Sequence, residues 1–388
     1  MSKFKIAIAN DIDIFNIENL LNIDFARKYH AIGIHFLIKE IKENNYEIVW
    51  ADTAIENINN GDWNAKDVLI IQEMSSKNGK ILEKLGSIPF LCMCFEGPFI
   101  GHWFYEKINK FGKKFNKILI FDDQYHSIQF DKKKILNLGF PCVDENQLNN
   151  SFQTLNKQQW DRKKLIVGIW SNKHYSLHLK KIINHLKKFH FKYLILEIIS
   201  KILSKTYKKN LKNQIIDKRN QVFLNLSALN NFDLFGRGWS DSIEMPSKIY
   251  KKIQKFKKNI YDGNDQKFKK LSKKEIFSNY KFCLCFENSI SRSYVTEKIF
   301  DCLNAKVIPI YLGAPNINEF LPKECFIDFR EFNDEKNLNN FLTNMNVDDA
   351  NKYLDAAYNF LCSVNIKRNS CQFFSKQIIN EIKNYSIK

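Results

Sequence analysis

Between Phe282 and Asp301 the chain reads FCLCFENSISRSYVTEKIFD, a sequence of residue types that invites a chemical reading. Five apolar residues run straight into Glu287 and Asn288, a polar turn follows, and Thr296, Glu297 and Lys298 open a stretch of helical spacing. A helix N-terminus exposes unpaired backbone N–H groups and the positive end of its dipole, which makes it an anion site. Lys298 in the first turn would set a full positive charge beside a bound phosphate, although the dipole alone favours an acid there. A residue placed against the dipole points to a ligand. Glu297 cannot favour a phosphate by charge, and its natural partner is a neutral donor such as a ribose hydroxyl. Asn288 and Tyr294 can donate hydrogen bonds to phosphate oxygens or to a base. Without a ligand, the same stretch is a strand–turn–helix with incidental polar residues. A shorter echo, FLCMCFEGPF at Phe90 to Phe99, ends a second apolar run in a carboxylate, Glu96.

Strands and helices must place these groups. YKFCLCF reads as a buried strand, EKIFDCLNA as a helix and KVIPIYLG as the next strand, a right-handed βαβ unit if the strands are parallel. The first half of the chain carries FKIAIAN, YEIVWAD, DVLIIQEM, PFLCMCFEG and KILIFDDQ, with GIHFLIKEIKENN at helical spacing. The second half repeats this with KLIVGIWSN, FDLFGRGW and CFIDF. Uninterrupted apolar strands separated by helices are what a parallel sheet covered on both faces requires. A chain of 388 residues is long for one core and predicts roughly two domains. The polar stretch Glu145 to Asp161 separates the halves. The expected fold is therefore α/β, with two Rossmann-like doubly wound domains and a cleft between them. The first domain is expected over residues 1–150, the second over 151–365, and a C-terminal helix over 366–388. In such sheets ligands bind beyond the carboxyl ends of the strands.

The composition, 44% hydrophobic and 14% aromatic, is that of a packed globular protein and not of a disordered one. A net charge of +18 and a pI near 9.3 favour anionic partners such as nucleotides, nucleic acid or an acidic membrane surface. The chain is rich in Lys, Asn, Ile and Phe throughout, so charge alone decides nothing. Residues 175–218 read as an insertion with Lys interleaved among Ile and Leu. It is either a basic amphipathic helix on an anionic membrane or an ordinary surface helix pair with a solvated lysine face. His174 and His178 stand at i, i+4, with His185 and His190 further on, but no acidic partner completes a metal site. Of nine cysteines, Cys92 with Cys94 and Cys283 with Cys285 form C-x-C pairs in apolar runs. That spacing differs from zinc knuckles and predicts buried, reduced thiols. The opening MSKFKIAIANDIDIF lacks the apolar core of a secretory signal, and no run of about 18 uncharged apolar residues appears. The expected location is cytoplasmic, with peripheral contact at the inner face of a membrane as one reading.

The segment FENSISRSYVTEKIFDCLNAKVIPIYLGAPNINEFLP, Phe286 to Pro322, resembles the signature of the soluble, bacterial-type α-1,3/4-fucosyltransferases. Its F-E-N, Y-x-T-E-K and P-I-Y-x-G-x-P elements occur in order. RNQVFLNLSALNNFDLFGRGW, Arg219 to Trp239, is similar to the segment preceding that family's nucleotide site, and FLCMCFEGPF to the strand presenting its catalytic carboxylate. The strong resemblance covers Arg219 to Phe329, and the first half resembles the family only in short pieces. It implies a GT-B architecture, with GDP-fucose held mainly by the second domain and transferred with inversion, using no metal or other cofactor. The implied acceptor is an oligosaccharide or glycolipid, such as lipopolysaccharide O-antigen, glycosylated at O3 of an N-acetylglucosamine or glucose unit. Carried over by residue, Glu297 binds the ribose of GDP, Lys298 and Arg219 neutralise the pyrophosphate with Asn288 and Tyr294 nearby, and Glu96 is the general base.

Elementary chemistry supports these roles. A sugar hydroxyl is a poor nucleophile, so a positioned carboxylate contributes about 10²–10⁴-fold. Departing GDP develops charge on its β-phosphate, which cations must stabilise. Arg219 suits that duty by bidentate contact and Lys298 as a point charge. Gly97 and Pro98 end the strand behind Glu96. The family's arginine closely follows an S-N element, whereas here Ser171 and Asn172 precede Arg219 by most of the lysine-rich segment. Arg162, Arg237 and Arg292 therefore stand as alternatives. Asp122 and Asp123 read as loop residues.

Two other readings compete. One keeps the fold with another GDP- or UDP-sugar. The other is a non-catalytic basic protein on RNA or anionic lipid, which leaves Y-V-T-E-K unexplained; nucleic acid is not the expected partner. Acceptor recognition is expected in loops between about Asn10 and Asn60 and around His102 to Tyr105. Trp103, Phe104 and Tyr105 could stack there on a sugar face or belong to the core.

Overall fold

The computed structural model describes residues 4–12, 14–148, 153–171, 213–229, 232–239, 252–253, 255–263 and 271–387. Asn172 and the four histidines at 174, 178, 185 and 190 lie outside them, as does the lysine-rich insertion except for its last residues, 213–218.

Among the described residues the apolar runs become two six-stranded sheets. The first comprises β1 (Lys5–Ala9), β2 (Glu47–Trp50), β3 (Val68–Glu73), β4 (Ile88–Met93), β5 (Lys117–Leu119) and β6 (Ile135–Leu136), in the order β2-β1-β3-β4-β5-β6. The second comprises β7 (Lys164–Ile169), β8 (Phe232–Gly236), β9 (Ile260–Asp262), β10 (Tyr280–Phe286), β11 (Ile308–Leu312) and β12 (Ile327–Asp328), in the order β12-β11-β10-β7-β8-β9. Every pairing is parallel. Central strands such as β3 and β10 lack polar alternation because helices cover both faces; Leu69, Ile70, Ile71 and Phe282 are fully buried.

The chain divides into two compact units. Unit one holds Met1–Leu148, Arg292–Tyr294 and Ile366–Lys388, and unit two holds Asn149–Ser291 and Val295–Asn365. The division falls within the polar stretch 145–161, but the end of that stretch is ordered protein. Helix Lys157–Arg162 opens on a capping box of Asn156 with Gln159, and buried Trp160 donates its indole N–H to the Met345 carbonyl at 3.2 Å.

The C-terminal helix Cys371–Ser386 belongs to unit one. Its Phe374, Ile378, Ile379 and Ile382 share a core with Leu37, Ile38 and Ile41 of helix Ile32–Glu43. A parallel bridge between Val143 and Ser370 leads the chain back to this sheet.

In helix His102–Glu106, Phe104 and Tyr105 are core residues packed with Ile108 and Ile118, while Trp103 is half-buried beside them. All nine cysteines are free. Among the described residues no helix is long and apolar enough to cross a membrane.

Candidate functional site

The last residue of β10 leads directly to Glu287, whose N–H donates to the Leu312 carbonyl at 2.8 Å and prolongs the ladder to β11. Its side chain is fully buried. A buried carboxylate must be paired and hydrogen-bonded, and Glu287 is. Oε1 accepts the backbone N–H of Thr296 at 2.8 Å, the Thr296 hydroxyl lies 2.8 Å from Oε2, and the Lys298 ammonium donates to Oε2 at 2.9 Å. Thr296 is the N-cap of helix Glu297–Asn304, and its hydroxyl also accepts from Lys298 at 2.7 Å.

Lys298 is therefore held at the opening of that helix. Burial works against its charge, but Glu287 and Glu297 more than offset this and hold the ammonium above its ordinary range. An ammonium has three donors; Glu287 and Thr296 engage two of them. Glu297 lies 3.8 Å from Lys298 and is about one-fifth exposed, at 22%. Gly313 makes the close passage of the chain possible: a Cβ there would stand 2.4 Å from Tyr311 Oη and 2.6 Å from Glu287 Cγ.

Arg219 reaches the same edge of the sheet by a different route. Gln214 pairs antiparallel with Ser289, and Ile290 donates to the Asn213 carbonyl at 2.7 Å. Ile215 donates to the Asn288 carbonyl at 3.3 Å. These bonds tie the start of helix Ile216–Leu229 to the turn after Glu287, with half-buried Asn288 at the junction. Buried Arg219, in the first turn, has its guanidinium carbon 4.9 Å from the centre of the Trp170 ring. Trp170 follows β7, and its indole N–H donates to Asn220 at 3.1 Å. Arg219, Asn288, Glu297 and Lys298 thus share the carboxyl edge of the second sheet.

The alternative arginines are placed differently. Exposed Arg162 precedes the amino end of β7, on the opposite edge. Arg237 follows β8 at the carboxyl edge and is exposed. Arg292 falls in unit one, where its charge acts on Asp122. Asp122 and Asp123 lie in the loop after β5, Asp122 accepting the Gln124 N–H at 3.1 Å.

Glu96 follows β4 by three residues and is half-buried at the carboxyl edge of the first sheet. Its backbone carbonyl accepts from the Tyr105 hydroxyl at 3.2 Å and the Cys94 thiol at 3.4 Å, which fixes the turn. Its Oε2 accepts the Tyr294 hydroxyl at 3.0 Å. Tyr294 is buried, with its ring edge-on to Phe121 at 5.2 Å. The structure therefore groups Tyr294 with Glu96 in unit one, while Asn288, Glu297 and Lys298 stand in unit two.

Two carboxylates escaped the sequence reading as site residues. Glu287 was visible as a polar strand end, but nothing local revealed its partner. Glu73 ends β3, next to β4, and accepts from Asn10 Nδ2 at 3.1 Å. Burial and then the charge of Glu96 raise its pKa to about 7, against a lowering by Asn10. Its only sequence signal was a third apolar run, DVLIIQEM, that also ends in Glu.

Two parallel doubly wound sheets with polar groups gathered at their carboxyl edges have the fold of the GT-B glycosyltransferases. The crystal structure of an α1,3-fucosyltransferase aligns with 99% of this chain and 90% of its own, at a TM-score of 0.51 and 16% identity. Anabaena Alr3699/HepE, solved with UDP and glucose, aligns with 98% of this chain and all of its own, at a TM-score of 0.55 and 9% identity.

Residues 197–372 match glycosyltransferase family 10 (fucosyltransferase), C-terminal part. The α-(1,3)-fucosyltransferase FucT of Helicobacter pylori is 39% identical over 87 residues, 22% of this chain and 18% of that protein. A 4-galactosyl-N-acetylglucosaminide 3-α-L-fucosyltransferase of Gorilla gorilla gorilla is 32% identical over 136 residues, 34% of this chain and 37% of that protein. The chain thus aligns with well under two thirds of either relative. The matched region contains Arg219, Glu287, Asn288, Tyr294, Glu297 and Lys298, and leaves Glu73 and Glu96 outside it.

Proposed function

We propose that the protein is a fucosyltransferase that moves fucose from GDP-fucose to a hydroxyl of a glycan, with inversion and without a metal or other cofactor. The observation that carries this reading is the Lys298 ammonium, held on Glu287 and Thr296 at the opening of helix Glu297–Asn304, inside the residues that match the family. In this reading Lys298 and Arg219 neutralise the pyrophosphate of GDP, and Glu297 accepts from a ribose hydroxyl with Asn288 nearby. Glu96 takes the proton of the acceptor hydroxyl as that oxygen bonds to the anomeric carbon. The bond from carbon to the β-phosphate breaks, and its electron pair leaves on GDP. Tyr294, whose hydroxyl donates to Glu96, is read here as supporting the base. The acceptor is read as O3 of an N-acetylglucosamine or glucose unit in an oligosaccharide or glycolipid of the lipopolysaccharide kind. The enzyme would work on the cytoplasmic side, with peripheral membrane contact.

The test is GDP release from GDP-fucose, with and without N-acetyllactosamine- and N-acetylglucosamine-bearing acceptors, in EDTA. Acceptor-dependent release that collapses in Glu96→Gln and in Lys298→Ala supports donor and roles together. Turnover only with another sugar nucleotide would overturn the donor, and loss of activity in EDTA would overturn metal independence.

A further inference from the structure

We infer that Glu287 is the positioning residue of the donor site, the buried counter-ion that holds the Lys298 ammonium at the opening of helix Glu297–Asn304. The inference rests on the reading of Lys298 as a ligand of GDP. Glu287 is 0% exposed and so acts through Lys298. Its carboxylate binds two things at once, the backbone N–H of the N-cap residue and the ammonium two residues further on. One side chain thereby sets the direction of the helix opening and the place of the cation relative to it.

The arrangement does more than hold the fold together. A buried ion pair is weak evidence for stability, since apolar residues of similar volume often serve as well. A lysine also has a flexible four-carbon stem and a compact charge that rotates freely unless anchored. Here the stem is three-quarters buried, with 25% exposure, and two hydrogen bonds define the position of Nζ. Removal of the Glu287 charge would leave Lys298 with the burial that opposes its ionisation and without the largest charge that favours it, Glu297 at 3.8 Å remaining. A pyrophosphate ligand would then meet a cation that is less reliably charged and less well aimed.

The experiment uses the full chain as wild type, Glu287→Gln, Lys298→Ala and the double variant. Competitive acetylation across pH, mapped by mass spectrometry, reports the ionisation of Lys298 without any donor. Calorimetric titration with GDP reports its use. The expected result is that acetylation of Lys298 begins at lower pH in Glu287→Gln, and that GDP binds about tenfold more weakly. The double variant should bind GDP no more weakly than Lys298→Ala alone. Losses that add, or GDP affinity unchanged in Glu287→Gln, would overturn the inference. If acetylation shifts while the wild type itself ignores GDP, the ion pair stands but the donor reading falls, and the positioning role falls with it. Glu287→Asp guards against a misfolded Gln variant. It keeps the charge but draws the ammonium back, so GDP should bind more weakly at temperatures where the variant stays folded, and unchanged affinity would again overturn the proposal.

Discussion

The ammonium of Lys298 lies 2.9 Å from the carboxylate of Glu287, eleven residues earlier in the chain. Glu287 closes a buried strand and Lys298 opens a helix, so the ion pair bridges the turn between them. Each residue looks misplaced alone: a carboxylate at the end of an apolar run, and a cation where the helix dipole disfavours one. Paired, each explains the other. A second relationship has the same character. Tyr294 bonds Glu96, and two residues on, Thr296 bonds Glu287.

Replacing Tyr294 by Phe removes the hydroxyl on Glu96 and keeps the ring against Phe121. A hydrogen bond to a charged group contributes about 1.5–3 kcal/mol, so kcat should fall about tenfold or more. The Kd for GDP should not move if, as proposed, the hydroxyl serves Glu96 as the base. Steady-state kinetics with calorimetric GDP titration checks both, and a weakened Kd would place Tyr294 on the donor instead.

Glu73 sets a pH dependence. Its folded pKa, about 7, stands above the ordinary 4.5. Its contribution to stability is therefore fully present below pH 4.5 and is lost as pH rises through 7, about 3 kcal/mol at most. Glu73→Gln keeps an acceptor for Asn10 and removes the titration. Urea unfolding should find the variant gaining on wild type from pH 5 to pH 8; a gap that shrinks with rising pH would refute the assignment.

Gly313→Ala drives a methyl group to 2.4 Å from Tyr311 Oη and 2.6 Å from Glu287 Cγ. Such overpacking costs about 1–3 kcal/mol, here directly behind the carboxylate that holds Lys298. Thermal unfolding should register the loss, and GDP affinity should fall with it at temperatures where the variant stays folded.

Arg219→Lys is not conservative. It keeps the charge but loses the planar face over Trp170 and the fork that, in the proposed site, would grip a pyrophosphate. GDP affinity should fall about tenfold. Arg237→Lys, at an exposed position, should leave it within about twofold. The reverse ranking, read by GDP titration, would transfer the pyrophosphate role to Arg237.

The sequence by itself determined the local grammar of this protein. Short apolar runs without alternation, separated by stretches of helical spacing, read as strands covered on both faces, which implied parallel sheets and pointed to their carboxyl ends. Helical spacing after Thr296 located the helix start, and the ordered F-E-N, Y-x-T-E-K and P-I-Y-x-G-x-P elements carried the family resemblance. Edge strands Ile135–Leu136 and Ile260–Asp262 were missed because two or three residues hold too little periodicity to read. Only the tertiary structure decided the partners. No local pattern tells Tyr294 to bond a carboxylate 198 residues earlier in place of a phosphate, or brings the helix Cys371–Ser386 back to the first sheet. It likewise took two adjacent strands in register to bring Glu73 within reach of the charge on Glu96. Periodicity records which face of an element is buried; which charge meets which depends on how distant elements pack, and that is set by the whole chain at once.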